Sequence, residues 1–221
     1  MGFFWEGLPP YILNWAKDLL PGTAVAVETG TFRGDTSELL NEQFGSCVTI
    51  ERSTEFAAAA KLRFAQVTSI TVLEGTSSQL LVEALPDSDV SCFIWLDAHG
   101  MYNYSGSSTE ENPLLSELDT IFASRSSANT IIAIDDARGL GTQPGWPSTG
   151  QVCFALESNG FQTICIDDCI IAASKTLNAD FWELYQGSRM VEVSALFHVW
   201  SSVKRTVRMR ARLDSVLSKR A

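Results

Sequence analysis

The stretch Phe161-Gln-Thr-Ile-Cys-Ile166-Asp-Asp-Cys169-Ile-Ile-Ala-Ala-Ser174 decides the fold. Two apolar, β-branched runs are parted by Asp167 and Asp168 alone, too few residues for a helical crossover, so the pair reads as an antiparallel hairpin. Upstream the rhythm differs. Short strands at Ala24 to Thr29, Cys47 to Glu51, Ile70 to Glu74, Cys92 to Asp97 and Thr130 to Asp135 alternate with helical stretches at Thr36 to Gln43, Thr54 to Ala65, Ser77 to Leu85 and Pro113 to Ser124. That alternation is the sign of a parallel sheet with helices on both faces. A further helix, Thr149 to Ser158, leads into the hairpin, and another, Pro10 to Leu20, precedes the first strand. The expectation is an α/β, Rossmann-like three-layer sandwich whose seven-stranded, mostly parallel sheet closes in an antiparallel hairpin. A nicotinamide-binding domain would continue with another strand, helix, strand unit in place of the hairpin.

The chain of 221 residues is the size of one domain, with 45% hydrophobic and 19% charged residues, an ordinary globular balance that excludes disorder. The domain is expected over residues 1–175, with a helical, basic-tailed extension over 176–221. No apolar run approaches the roughly 20 residues that span a bilayer, and Met1 to Pro10 is aromatic with an acid rather than a basic flank before an apolar stretch, so a cytoplasmic protein is expected. Five scattered cysteines (Cys47, Cys92, Cys153, Cys165 and Cys169) suit reduced thiols, and with two histidines in the chain they make no zinc signature. Residues 201–221 hold seven bases against Asp214, a charge of +6, which leaves −16 on the rest of a chain whose net charge is −10. A body of that sign repels phosphates, so no nucleic-acid partner is expected.

The first strand ends in Ala26-Val-Glu28-Thr-Gly30-Thr-Phe-Arg-Gly34-Asp-Thr36. Gly30 permits a tight turn and close ligand approach, and Gly34 lets the helix start against the strand. Glu28 is placed to accept hydrogen bonds from an ammonium or a ribose, and the hydroxyls of Thr29, Thr31 and Thr36 to hold a carboxylate. This suits the amino-acid end of S-adenosylmethionine. It suits a dinucleotide less well, since Gly-x-Gly-x-x-Gly is absent and Phe32 stands where backbone should approach a pyrophosphate. Glu51, seventeen residues past Gly34, is placed for both ribose hydroxyls. Gly75, Thr76 and Ser77 after the third strand are placed for the adenine.

Two further strands deliver carboxylates at their carboxyl ends, in Phe93-Ile-Trp-Leu-Asp97-Ala-His99 and Ile131-Ile-Ala-Ile-Asp135-Asp136-Ala-Arg138. Asp97, Asp135 and Asp136 fall on one rim, where their repulsion calls for a cation. An oxygen-only set suits Mg²⁺, or Mn²⁺ or Ca²⁺. The acceptor's proton falls to Asp97 or to His99, whose imidazole titrates near neutrality. Arg138 reads as meeting an acidic group on the substrate or, preferably, as pairing with Glu110 or Glu111.

Val27-Glu-Thr-Gly-Thr31, Gly34-Asp-Thr36, Leu96-Asp-Ala-His99, Pro113-Leu-Leu-x-Glu117-Leu118 and Ile134-Asp-Asp-Ala-Arg138 together resemble class I S-adenosylmethionine-dependent methyltransferases. The likeness is to the group of macrocin and mycinamicin sugar O-methyltransferases and cephalosporin hydroxylase-like proteins, over about residues 8 to 174. The resemblance implies that Asp97, Asp135 and Asp136 bind a divalent metal that grips two neighbouring hydroxyls of a sugar, and that S-adenosylmethionine is the methyl donor. The chain departs from the macrolide enzymes in the loop after the fourth strand and in lacking a long amino-terminal lid. Two other classes stay open: a metal-dependent, hydroxylase-like enzyme of the same fold, and a non-catalytic interaction domain.

The polar loop Gly100 to Pro113 reads as a binding element or lid. Phe3, Phe4, Trp5, Leu8, Tyr11, Ile12 and Trp15 read as a leading helix packed on the sheet, or as a partial cover for the cofactor. Leu196, Trp200, Val203 and Val207 space an amphipathic helix at the carboxyl end, to be docked on its own acidic body, paired in a homodimer, or laid on a membrane surface or partner.

Overall fold

The computed structural model describes residues 7–98, 112–142 and 144–189. Phe3, Phe4, Trp5, His99, the loop from Gly100 to Glu111 with its Glu110 and Glu111, and the carboxyl-terminal amphipathic stretch lie outside the described residues. The chain divides into two compact units, Met1–Phe181 and Trp182–Ala221. The second is described over 182–189, where it is helical and stacks Trp182 on Tyr185 with ring centroids 5.3 Å apart.

Within the first unit, α1 (Pro10–Leu19) precedes β1 (Val25–Thr29), α2 (Asp35–Phe44), β2 (Cys47–Glu51), α3 (Thr54–Arg63), β3 (Ile70–Glu74), α4 (Ser77–Ala84) and β4 (Cys92–Leu96). Then come α5 (Leu114–Ser124), β5 (Thr130–Ile134), α6 (Thr149–Ser158), β6 (Phe161–Ile166) and β7 (Cys169–Ser174). The sheet order is β3-β2-β1-β4-β5-β7-β6. Strands β1 to β5 are parallel, and β7 runs antiparallel to both β5 and β6. This is the Rossmann-like fold of class I methyltransferases, with the expected seven strands and closing hairpin. No helix among the described residues is long and apolar enough to cross a membrane.

The hairpin inserts its second strand, not its first, beside β5. Composition explains the choice. All six residues of β7 are buried, and Ile170 to Ala173 offer apolar side chains to both faces, as an interior strand requires. Strand β6 carries Gln162 and Thr163 and leaves Cys165 exposed, a composition suited to an edge. Strands β4 and β5 are likewise buried at every residue, and the fully buried Phe93, Ile94, Trp95, Leu96, Ile131 and Ile132 form the middle of the core. At about 1.5–3 kcal/mol for each large apolar side chain removed from water, this central band dominates the fold's stability.

Helix α6 starts where a capping box stands in the sequence: Ser148 Oγ accepts from the Gln151 amide (3.2 Å), and Gln151 Oε1 accepts from the Ser148 amide (2.8 Å). Helix α1 buries Ile12, Leu13, Trp15 and Ala16. Its Trp15 indole donates to the Asp180 carbonyl (3.1 Å) and packs against Phe181. Tyr11, Ile12 and Trp15 thus belong to a packed helix.

Candidate functional site

Strand order reverses at β1, whose neighbours are β2 on one side and β4 on the other. The carboxyl ends of β1 and β4 therefore flank the switch point at which open α/β sheets bind ligands, and this is the candidate crevice. Its floor depends on Gly30. The residue sits at φ 92°, and a Cβ there would lie 2.8 Å from the Asp97 carbonyl oxygen. Only glycine permits this approach of β1 to β4. Gly34, at φ 85°, starts α2 in the left-handed region where a Cβ would strike the Phe64 ring.

Glu28 is 1% exposed. Its Oε2 accepts from Ser37 Oγ of α2 and from Thr49 Oγ1 of β2 (2.6 Å), while its Oε1 is buried without a hydrogen bond. Burial pushes the carboxyl up to about 7, against the opposing pull of those two hydroxyls and with a further rise from Glu51. Thr31 turns its hydroxyl inward, 2.6 Å from that of Thr49, so it supports the Glu28 cradle. Thr29 Oγ1 is buried without a partner. An unsatisfied buried polar atom costs about 1–3 kcal/mol, and two of them at adjacent positions of the β1 end suit a polar ligand such as an amino-acid group. Thr36, in the first turn of α2, is so close to the incoming chain that a Cβ on Gly7 would lie 2.8 Å from its Oγ1.

Glu51 is fixed by two main-chain amides. Its Oε2 accepts from Phe32 N–H (2.8 Å) and its Oε1 from Ser53 N–H (2.7 Å). Phe32 adopts φ 47°, a conformation that costs an L-residue about 1–2 kcal/mol and that points its amide at the carboxylate. Each carboxylate oxygen retains a lone pair, so the pair of oxygens is oriented yet able to take two hydroxyls. Next to it, Gly75 donates its amide to the Glu51 carbonyl (2.9 Å) and leads into Thr76 and Ser77 at the start of α4.

The strands expected to run through Asp97 and Asp135 stop one residue earlier, at Leu96 and Ile134. The main chain still continues the ladder: Asp97 N–H donates to the Thr29 carbonyl and Asp135 N–H to the Leu96 carbonyl, each at 3.0 Å. Both carboxylates are therefore released onto the rim while their backbones stay anchored. Burial raises the Asp97 carboxyl well above its ordinary value, followed by repulsion from Asp135, Glu28 and Asp136, with the Trp95 indole opposing. Asp135 is pushed up to about 6, first by burial and then by Asp136 and Asp168, with the Asp136 amide (2.8 Å) and the Arg138 charge opposing.

The carboxylates that converge within 4.8 Å of one another are Asp135, Asp136 and Asp168. Asp97 does not join that group, although it is near enough to be raised by it. Asp168 belongs to the hairpin turn, where Asp167 and Asp168 take φ 45° and 70°, the paired left-handed conformations of a tight two-residue loop. The turn is held from both sides. Asp168 accepts from the Arg138 amide (2.7 Å), pairs with its guanidinium, and gives its carbonyl to the Ala137 amide (2.8 Å), while Asp167 accepts from the Tyr11 hydroxyl of α1 (2.7 Å).

Arg138 also reaches Asp136 at 3.2 Å, so among the described residues its ion pairs are with Asp136 and Asp168. By sequence alone Asp167 and Asp168 are only a turn. The available signal was two acids where Asn-Gly is the favoured pair, since adjacent like charges in a tight loop require partners.

No protein-family model matches the chain, and no curated protein matches it. Solved structures do. An O-methyltransferase from Bacillus cereus in complex with SAH is 14% identical with a TM-score of 0.54, over 78% of this chain and 84% of that one. The cofactor-bound Rv0187 from MTB is 13% identical, with a TM-score of 0.54 over the same shares of the two chains. An rRNA methylase from Streptococcus thermophilus is 10% identical with a TM-score of 0.52, over 76% of this chain and 98% of that one. At these identities the shared property is the fold.

Proposed function

We propose that this chain is an S-adenosylmethionine-dependent O-methyltransferase, assisted by a divalent cation, that acts on a hydroxyl of a sugar or glycan. One observation carries the reading. A crevice at the strand-order reversal, with unsatisfied buried atoms at Glu28 and Thr29, adjoins a rim of carboxylates through a single residue, Asp97. Ligand and acceptor sites that share one residue are what group transfer needs, because the reacting atoms must be held in contact.

Bound in the crevice, S-adenosylmethionine supplies a methyl group on a sulfonium; at the rim, Mg²⁺, or Mn²⁺ or Ca²⁺, supplies Lewis acidity. The residues fit both. Glu51 orients two acceptor oxygens for ribose hydroxyls, Glu28 and Thr29 face the amino-acid end, and Gly75 to Ser77 line the side assigned to adenine. Asp135, Asp136 and Asp168 offer converging hard oxygen donors, and Asp97 stands beside them as a further one. Three converging carboxylates with one guanidinium leave a formal charge of −2 when ionised, which a divalent cation matches.

Asp97 sits where burial makes its carboxylate a stronger base than an exposed aspartate, so it takes the acceptor's proton onto a carboxylate oxygen. His99, two residues later, is the other candidate for that proton. Arg138 holds Asp136 and Asp168 in place.

Calorimetric titration with S-adenosylhomocysteine, with and without Mg²⁺, tests the first half of the proposal. Binding is expected, and its absence under both conditions would overturn the reading. Joint replacement Asp135→Ala and Asp136→Ala should lower methyl transfer to a glycan acceptor by about a thousandfold while changing S-adenosylhomocysteine affinity by less than about threefold. Retained transfer would exclude the metal-assisted route.

A further inference from the structure

Cys153 of α6 and Cys165 of β6 take no part in the crevice or the rim, yet the fold brings their thiols together. The chain reverses between these elements at Asn159 and Gly160, the latter at φ 87°. Just past the reversal, Thr163 Oγ1 donates to Glu157 Oε1 at 2.7 Å, which fixes the register of helix against strand. Cys153 lies four residues before Glu157, one helical turn along the same face, a rise of about 6 Å. Cys165 lies two residues after Thr163, on the same side of the strand and about 6.6 Å along it. Both steps lead away from the turn by nearly the same length, so the two side chains arrive opposite each other. Cys153 is near enough to Cys165 to help raise its thiol. Cys165 is exposed and Cys153 half-buried, whereas Cys47, Cys92 and Cys169 are buried.

We infer that Cys153 and Cys165 are a disulfide-forming pair that fastens α6 to the edge strand β6 when the protein meets a hydroperoxide. One sulfur attacks a peroxide oxygen, the O–O bond breaks, and a sulfenic acid and water result. The second sulfur then attacks the first, the S–S bond forms, and the sulfenic oxygen leaves as water. Two thiols have lost two electrons and two protons, and one hydrogen peroxide has become two waters. Burial, with the neighbouring Cys153, pushes the Cys165 thiol up to about 11, so thiolate is scarce and the reaction slow. The same high value leaves the reduced form without thiolate stabilisation, which makes the disulfide, once formed, hard to reduce.

The test treats the full chain with hydrogen peroxide, alkylates the remaining thiols under denaturing conditions and maps the peptides by mass. A Cys153–Cys165 cross-linked peptide is expected, with the mass of the intact chain lower by two hydrogens and the other three cysteines alkylated. The closed loop of about 13 residues should raise Tm by about 5 °C, and dithiothreitol should reverse the rise. Cys153→Ser and Cys165→Ser, at positions that are not fully buried, should each abolish both the cross-link and the rise. Absence of the cross-linked peptide from the wild-type chain, or a cross-linked chain with unchanged Tm, would overturn the inference without bearing on methyl transfer.

Discussion

The crevice between β1 and β4 and the rim beyond β5 are built on opposite plans. In the crevice, carboxylates are held by neutral donors: Glu28 by two hydroxyls, Glu51 by two main-chain amides. At the rim they are held by a charge, Arg138, and by one another's anchored backbones. Neutral donors orient a carboxylate without cancelling its charge, which suits recognition of hydroxyls and an ammonium. A guanidinium shared between two aspartates cancels part of an excess and leaves the remainder for a cation. The two plans also differ in reach. Gly30 and Gly34 lie within one strand-turn-helix unit, whereas the rim assembles residues from positions 97, 135, 136 and 168.

The comparison is broken most severely at Gly30. Gly30→Ala places a Cβ against the Asp97 carbonyl and forces φ 92° on a side-chain-bearing residue, so a loss of about 2–4 kcal/mol in denaturant-measured stability is expected, with weakened S-adenosylhomocysteine binding. A stability change under about 0.5 kcal/mol would show that β1 and β4 tolerate a wider separation. Asp168→Asn keeps the shape of the hairpin turn while removing one charge from the rim. Mg²⁺ affinity should fall about tenfold with S-adenosylhomocysteine affinity unchanged; equal Mg²⁺ affinity would confine the metal set to Asp97, Asp135 and Asp136.

The finest contrast is in pH. The folded Glu28 carboxyl at about 7 holds its proton where the unfolded group, near 4.5, has released it. Its stabilising contribution is therefore complete below about pH 4.5 and is lost as pH rises through 7, at no more than about 1.4 kcal/mol per pH unit. Chemical denaturation of wild type and Glu28→Gln between pH 5 and 8 reads this as a difference that changes with pH. A difference that stays constant would place the Glu28 carboxyl near its ordinary value in the folded chain.

Local patterns were readable wherever the determining interactions are close in sequence. Asp167 and Asp168 between apolar runs require a hairpin, and the strand, Gly-x-x-x-Gly, helix run around Gly30 marks the turn from β1 into α2. Asp97, Asp135 and Asp136 were placed on one rim because parallel strands end their ladders together. Other features depended on contacts absent from any window of sequence. Arg138 pairs with Asp168, 30 residues further along the chain, as well as with its neighbour Asp136, while Glu110 and Glu111, the partners expected for it, lie outside the described residues. The inward turn of Thr31 follows from Thr49 standing opposite β1, and the tether of Asp167 from Tyr11 lying 156 residues earlier in the chain.

The sequence by itself determined the α/β alternation, the closing hairpin, the glycine turn and the acids at the strand ends, because periodicity and backbone conformation are local. Only the tertiary structure decided which hairpin strand joins the sheet, and with it that Asp168 completes the carboxylate group. That choice rests on burial: the sheet takes in the strand that is apolar on both faces and leaves the half-polar one at its edge.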